Sequence, residues 1–445
     1  MRNKDSRVDS QFWTTEIVKN DNYSYDKIGN LIKGSQYGIS VDMNTDGKGY
    51  PIFRMNELHD MLMDLSTEKY ADITPIEYQN FSLNDGDVLF NRTNSYEWVG
   101  RTAVYYKNNE TPFTYASYLV KFVPDTDRLL PEYLATYLSS KNGVLAIKSR
   151  ARQSVNQTNV NPEEVKEIEI PLLSMSFQKV LKSCFVKANS SRIQADDLYK
   201  EATDMLAASM NINIPVNSSI NYKSFTNSFL QSGRFDAEYY QPKYETIVQC
   251  LNTNENVDSI CNFYNDNYLP DNEELYQYIE LANVGESGDI SNVEITRGKE
   301  LPTRARRLVK KGQVIVSSVE GSLSSCALIT DEYDGALCST GFYVVRSEKI
   351  NSETLLVLFK SKPIQELLKQ RCSGTILTAI SKDEFLAMPL PLIDETIQNS
   401  VAEKVQESFA LRRESKRLLG LAVKAVEMAI ETNETTAMNW LETQI

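Results

Sequence analysis

The chain has 445 residues, 41% apolar and 24% charged, with 47 Lys+Arg against 60 Asp+Glu and a single histidine. That length and ordinary globular composition predict two to four domains with sizeable cores, and exclude a disordered tail protein, a collagen or a disulfide-stapled miniprotein. No stretch reaches the roughly 18 apolar residues of a membrane span, and the polar start MRNKDSRVDSQFW does not read as a signal peptide, so a cytoplasmic protein is expected.

The first half opens on RVDSQFW (Arg7 to Trp13), where Asp9 is expected to lock the amino-terminal segment. Short β-rich runs follow at Asp87–Phe90, Thr102–Tyr106 and Tyr118–Phe122, separated by Gly, Asn and Asp clusters, as in a sheet with irregular loops. Gly86 is expected to turn the chain ahead of a buried strand. A helix pattern covers Pro131–Leu138, and Ile168–Leu173 reads as extended around its proline. From Phe177 to Ser209, apolar and small residues recur at steps of four and three through Leu181, Cys184, Ala188, Ala195, Ala202 and Met205. That is a heptad seam of mainly small residues.

The second half repeats this order. RFDAEYY (Arg234 to Tyr240) matches RVDSQFW at an offset of 227, and Asp85–Phe90 matches Lys311–Val316 at 226, with Gly312 in the place of Gly86. From about residue 150 the offset settles at 220 without a gap, giving identical pairs such as Thr158/Thr378, Glu164/Glu384, Gln178/Gln398 and Leu198/Leu418. The runs Gln313–Val316 and Phe342–Val345, the helix pattern Glu353–Phe359 and the extended Met388–Ile393 mirror the first half. A second long seam runs from Ile397 to Ala429 through Val401, Val405, Ser408, Ser415 and Ala422. The expected fold is α+β: two pseudo-repeated mixed α/β modules, each followed by a long helix. The boundaries fall at 1–173 for the first module, 174–212 for the central helix, 213–393 for the second module and 394–445 for the carboxy-terminal helix. Each seam lacks another partner of its own length, so the two helices are expected to pair as an antiparallel coiled-coil spacer, a rod of roughly 50 Å.

The net charge of −13 is unevenly placed. Residues 251–294 hold ten acids and no Lys or Arg, whereas 297–311 hold seven cations against Glu300 alone, and 141–152 hold four cations and no acid. The net value therefore says little about a phosphate-bearing partner, which responds to local cations. The acidic block is expected to lie away from a duplex or against a partner subunit.

Several chemistries are excluded. The cysteines (184, 250, 261, 326, 338 and 372) include no CxxC and have one histidine in the whole chain as company, which argues against a zinc site and for buried, reduced thiols. His59 is read as a surface or packing histidine. There is no GxxxxGK[ST] loop, no GxGxxG, and no Asn-Pro-Pro-aromatic tetrad of an amino-methyltransferase. The chain reads as a binding protein rather than an enzyme.

Taken in order, Gly86–Ser95 (GDVLFNRTNS), Val99–Ala103, Ser154–Asn159 and Ile168–Leu172 in the first half resemble the specificity subunit of type I restriction-modification systems. Arg234–Tyr244, Gly312–Ser322, Gly374–Ser381 and Met388–Pro391 carry the same resemblance in the second. It extends over essentially the whole chain. It implies two target recognition domains, each binding one half of a bipartite DNA sequence, and paired helices that set the spacing and dock methyltransferase (M) subunits. Restriction/translocase (R) subunits would join that core. S-adenosylmethionine, ATP and magnesium would belong to those partners, and the chain itself would bind no cofactor and catalyse nothing. The rival reading is an acidic DNA mimic, or a scaffold that binds partner subunits without reading DNA.

Under this resemblance, Arg92, Arg150, Arg152 and Gln157 are the phosphate-contact candidates of the first module, taken to lie on loops beside the shared motifs. Thr93 and Asn94 of the same NRTNS run join them as DNA-binding candidates. In the second module the candidates are Arg297, Lys299, Arg304, Arg306 and Arg307, from a run that continues to Lys310 and Lys311. Arginine suits bidentate guanine contact, so some of Arg304, Arg306 and Arg307 are expected to touch DNA. Asn91-Arg92-Thr93 faces Ser317-Ser318-Val319 across the duplication, so a basic contact at that loop would exist in one module only. Tyr96 and Trp98 are expected to pack on the module core.

Overall fold

The computed structural model describes residues 15–155, 157–212, 222–374 and 378–445; RVDSQFW with Asp9, Asn156 and residues 375–377 lie outside the described residues. The chain divides into two compact units, Met1–Arg192 with Arg412–Ile445 and Ile193–Leu411, so that each long helix contributes to both.

In the first unit the larger sheet runs in the order Ile32–Tyr37, Leu119–Pro124, Val88–Asn91, Thr102–Val104, Leu62–Met63, Leu58–His59. Its first four strands are antiparallel. Successive side chains of Val88–Asn91 leave the pleat on opposite faces. Val88 and Phe90 enter a core with Tyr133 and Leu134, while Leu89 enters a second core with Phe53, Ala103 and Tyr115. The second unit repeats this, in the order Cys261–Phe263, Phe342–Ser347, Val314–Ser317, Cys326–Leu328. There Val314 and Val316 face a core shared with Leu355 and Phe359, and Ile315 faces one with Ile279, Ala327 and Val344. A buried apolar strand that serves two cores is thus used twice. Gly86 and Gly312 turn the chain before it at φ +84° and +80°, a conformation that suits glycine.

Equivalent elements begin at Val88 and Val314, Thr102 and Cys326, Leu119 and Phe342, Pro131 and Ser352, Lys141 and Lys362, and Pro162 and Lys382. Their separation narrows from 226 to 220 along the chain, the drift read from the sequence. Each unit also has a second, four-stranded sheet with one parallel pair, Thr114–Tyr115 on Tyr50–Phe53 and Leu337–Ser339 on Leu275–Ile279. In the second unit Ala305–Leu308 pairs with the far side of Leu337–Ser339.

The helix patterns at Pro131 and Glu353 form Pro131–Ser139 and Ser352–Lys360. Each is followed by a helix that the patterns had not indicated, Lys141–Arg150 and Lys362–Arg371. Ser140 starts the first of these, its hydroxyl accepting the Gly143 amide at 3.3 Å. Ile168–Leu173 supplies a short strand, Glu169–Pro171, whereas Met388–Ile393 makes only an isolated bridge from Pro389 to Asn256.

The long helices are Met175–Met210 and Glu395–Glu431. Gln178 and Gln398 tie each to its module in the same way. Gln178 Oε1 accepts the Leu130 amide at 2.8 Å while its Nε2 donates to Leu173 O at 2.9 Å. Gln398 Oε1 accepts the Asn351 amide at 2.8 Å and its Nε2 donates to Ile393 O at 2.9 Å.

Within the first unit, Phe177, Leu181, Cys184 and Ala188 share one core with Leu418, Ala422, Ala425 and Ala429. Within the second, Ala202 and Leu206 share another with Val401, Val405 and Phe409. Ser408 Oγ donates to Ala195 O at 2.7 Å and Lys404 pairs with Glu201, so the helices run antiparallel there. Small residues at the seam permit this approach. The seam departs from strict heptads after Ala202, where Leu206 rather than Met205 is buried and Ser209 is exposed. A straight helix drifts against a 3.5-residue repeat in that sense. The chain is therefore α+β, with two modules of common strand order and long helices that pair within the units. Among the described residues no helix is long and apolar enough to cross a membrane.

Candidate nucleic-acid interface

A small sheet carries three of the first unit's six candidate residues, Thr93, Asn94 and Arg152. Its strands run in the order Arg152–Gln153, Thr158–Asn159, Thr93–Asn94, with Arg152 opposite Asn159, Gln153 opposite Thr158, Asn94 opposite Thr158 and Thr93 opposite Asn159. Thr93 is buried and its hydroxyl donates to Asn159 Oδ1 at 2.6 Å. Asn94 is half-buried and accepts the Ser95 amide through Oδ1 at 2.8 Å. Gln157 is exposed between the strands Arg152–Gln153 and Thr158–Asn159, its carbonyl accepting the Ser154 amide at 2.8 Å.

The cations beside this sheet differ in what they already hold. Arg152 Nη2 lies 2.6 Å from Glu164 Oε1, a carboxylate 8% exposed. Arg150 is not on a loop as the sequence suggested, but on the last turn of Lys141–Arg150, where Nη1 donates to Ala146 O at 2.8 Å. Arg371, the second unit's equivalent, donates to Leu367 O in the same way. Lys148 Nζ donates to Glu97 O and Val99 O at 3.1 and 3.0 Å and also to Tyr96 O; burial lowers its pKa. Arg92 differs from all of these. Its Nε donates to Ser117 O at 3.0 Å and its guanidinium carbon lies over the Tyr37 ring, 5.1 Å from the centroid.

Tyr37 ends the strand Ile32–Tyr37, whose alternation leaves Lys33, Ser35 and Tyr37 exposed. It had not been singled out, although that period-two pattern was the signal available. Tyr96 is 38% exposed, and Trp98 carries Arg101 at 3.2 Å on its ring face, with burial lowering the Arg101 pKa. His59 is half-buried, its pKa lowered by burial and then by Arg192.

The second unit has the corresponding edge with different chemistry: Val319 bridges Ala379, and Cys372–Ser373 pairs with Ala379–Ile380. Its candidate cations lie elsewhere, on and beside its second sheet. Strand Glu294–Arg297 pairs antiparallel with Leu275–Ile279, which places Arg297 opposite Leu275 and so beside the acidic block. Arg297 and Lys299 both lie 3.4 Å from Glu273, and Arg304 lies 3.5 Å from Glu280. Arg307 Nη1 donates to Asn267 Oδ1 at 2.7 Å and to Asn265 O. Arg306 donates to Thr303 O at 3.0 Å. Strand pairing thus brings part of the acidic block and the basic run together, and exposed ion pairs join them.

Five of the six cysteines are buried, Cys250 being exposed, and none is in a disulfide. Among the described residues no three His, Cys, Asp or Glu side chains are placed to hold a metal ion.

Residues 22–183 match the family model of the type I restriction modification DNA specificity domain. Two curated relatives are each 27% identical. A putative type I restriction enzyme MjaX specificity subunit from Methanocaldococcus jannaschii matches over 38% of this chain and 40% of its own length. The type I restriction enzyme EcoKI specificity subunit from Escherichia coli matches over 29% and 28%. These matches thus span less than half of either relative. A crystal structure of a type I restriction-modification S subunit from M. genitalium aligns over 95% of this chain and 96% of its own, at 13% identity and a TM-score of 0.37. An HsdS subunit from Thermoanaerobacter tengcongensis aligns over 93% and 98%, at 13% and 0.31. The family these comparisons return is the type I specificity subunit, the one to which the doubled motifs pointed.

Proposed function

We propose that this chain is the DNA-reading subunit of a type I restriction-modification complex and carries out no chemistry itself. Its modules, 1–173 and 213–393, each read one half of a bipartite target, and the helices of 174–212 and 394–445 act as the spacer on which methyltransferase subunits dock. Restriction/translocase subunits complete the assembly, and S-adenosylmethionine, ATP and magnesium act on those partners. The observation that carries the reading is the doubling: the strand order and helix succession of the first unit, whose residues 22–183 resemble a DNA specificity domain in sequence, recur in the second. A module present twice in one chain suits a target with two halves.

The DNA-binding residues proposed are Arg92, Thr93, Asn94, Arg150, Arg152 and Gln157 in the first module. Those of the second are Arg297, Lys299, Arg304, Arg306 and Arg307. The ion pairs of Glu273 and Glu280 favour the rival reading of a scaffold that does not read DNA, because they neutralise three of these cations in advance.

Duplex binding by the chain assembled with methyltransferase subunits separates the two. A reader binds with an affinity that falls steeply with salt. Glu273→Gln with Glu280→Gln then frees the paired cations, raising affinity and steepening the log–log salt slope by about 1 to 2. Salt-insensitive or absent binding by both forms supports the scaffold.

A further inference from the structure

Arg92 was counted among phosphate contacts from its sequence position, but its surroundings suit a different task. Among the described residues it has no carboxylate within salt-bridge distance, whereas Arg152 at the same sheet is paired to Glu164. Two contacts hold its guanidinium: Nε donates to the Ser117 carbonyl at 3.0 Å, and the guanidinium carbon lies over the Tyr37 ring, 5.1 Å from the centroid. Neither contact uses the two terminal nitrogens, Nη1 and Nη2.

The three-stranded sheet that begins at the next residue is mostly uncharged: beside Arg152 it carries Thr93, Asn94, Thr158, Asn159 and Gln153. A surface that tracks a backbone needs several available cations. Here Arg152 holds Glu164, and Arg150 and Lys148 donate to carbonyl groups of their own unit. A guanidinium without a carboxylate partner, beside a sheet of amides and hydroxyls, is the composition of a base-reading patch.

We propose that Arg92 reads a guanine directly. Nη1 and Nη2 would donate end-on to its O6 and N7 in the major groove, with Tyr37 and the Ser117 carbonyl holding the guanidinium in place. This deepens the DNA-reading assignment above and rests on it. The pair Arg92 and Tyr37 would then set specificity at one position of one half-site. The second module would read its half by other means, since Ser318 stands in the place of Arg92 and donates its hydroxyl to Gly341 O at 2.9 Å.

The test uses the chain assembled with methyltransferase subunits and a set of duplexes carrying the complex's methylation target, with each defined base pair replaced in turn. Affinities are measured for the wild type, Arg92→Lys, Arg92→Ala and Tyr37→Ala. The expected result is a roughly 5- to 100-fold loss of discrimination at a single G·C pair of one half-site in both Arg92 variants. Tyr37→Ala gives a smaller loss at the same pair. Discrimination in the other half-site stays intact, which also shows that the variants are folded. A uniform weakening over all duplexes, with the salt slope reduced by about 1, makes Arg92 a phosphate contact and overturns the proposal. So does full discrimination in Arg92→Lys, which keeps the charge and lacks the fork. A wild-type complex that discriminates at no position overturns the DNA-reading assignment itself.

Discussion

Phe385→Ala is expected to destabilise the second unit by about 3–5 kcal/mol, the range for removing a buried aromatic ring whose cavity cannot close. Phe385 is fully buried on the short helix Lys382–Leu386, which Ser381 caps by accepting the Glu384 amide. Its ring stacks on Tyr343 at 4.6 Å and 29°, and lies 5.9 Å from Phe359 and 6.3 Å from Phe263. Those partners come from two strands and a helix, so no one element can move in to fill the space. None of the three tryptophans lies within residues 193–411. The loss should therefore appear as an early denaturant transition in far-ultraviolet circular dichroism that tryptophan fluorescence does not follow. Coincident, unshifted transitions would mean that the site collapses around the smaller side chain.

Ala188→Pro is expected to cost at least about 3 kcal/mol and to break the helix Met175–Met210. Ala188 is fully buried and packs in the same core as Ala422 and Ala425. Proline there removes one helical hydrogen bond, and its ring collides with the carbonyl four residues earlier. The added atoms also enter a seam of small side chains, where overpacking costs about a further 1–3 kcal/mol. Val186, half exposed on the same helix, is the control: Val186→Ala should change stability by less than about 0.5 kcal/mol. Helix content and the tryptophan-detected transition report both variants, and a wild-type midpoint for Ala188→Pro would contradict the seam.

How much was legible in the sequence follows from the distance over which each feature is encoded. The duplication and both long helices show in local periodicity and in identities such as Gln178 and Gln398, since the same contacts were kept twice. The role of those glutamines, which accept an amide about 47 residues away, was not legible, because nothing local marks the partner. The three-stranded sheet was hidden for the same reason: Thr93 meets Asn159 across 66 positions. Arg150 was misplaced because its helix has few apolar residues, which gives a weak periodic signal. Cationic runs were visible as runs, but their neutralisation was not. Arg152 finds Glu164 and Arg297 finds Glu273 only once the strands have paired.

The most direct measurement is a map of methylated adenines in DNA from cells that carry this chain together with its methyltransferase subunits. The expected sites form one split sequence, two short defined blocks at a constant separation, and disappear when the chain is deleted. Methylation of a single uninterrupted sequence, or methylation that does not depend on the chain, would contradict a protein that reads a bipartite target through two modules.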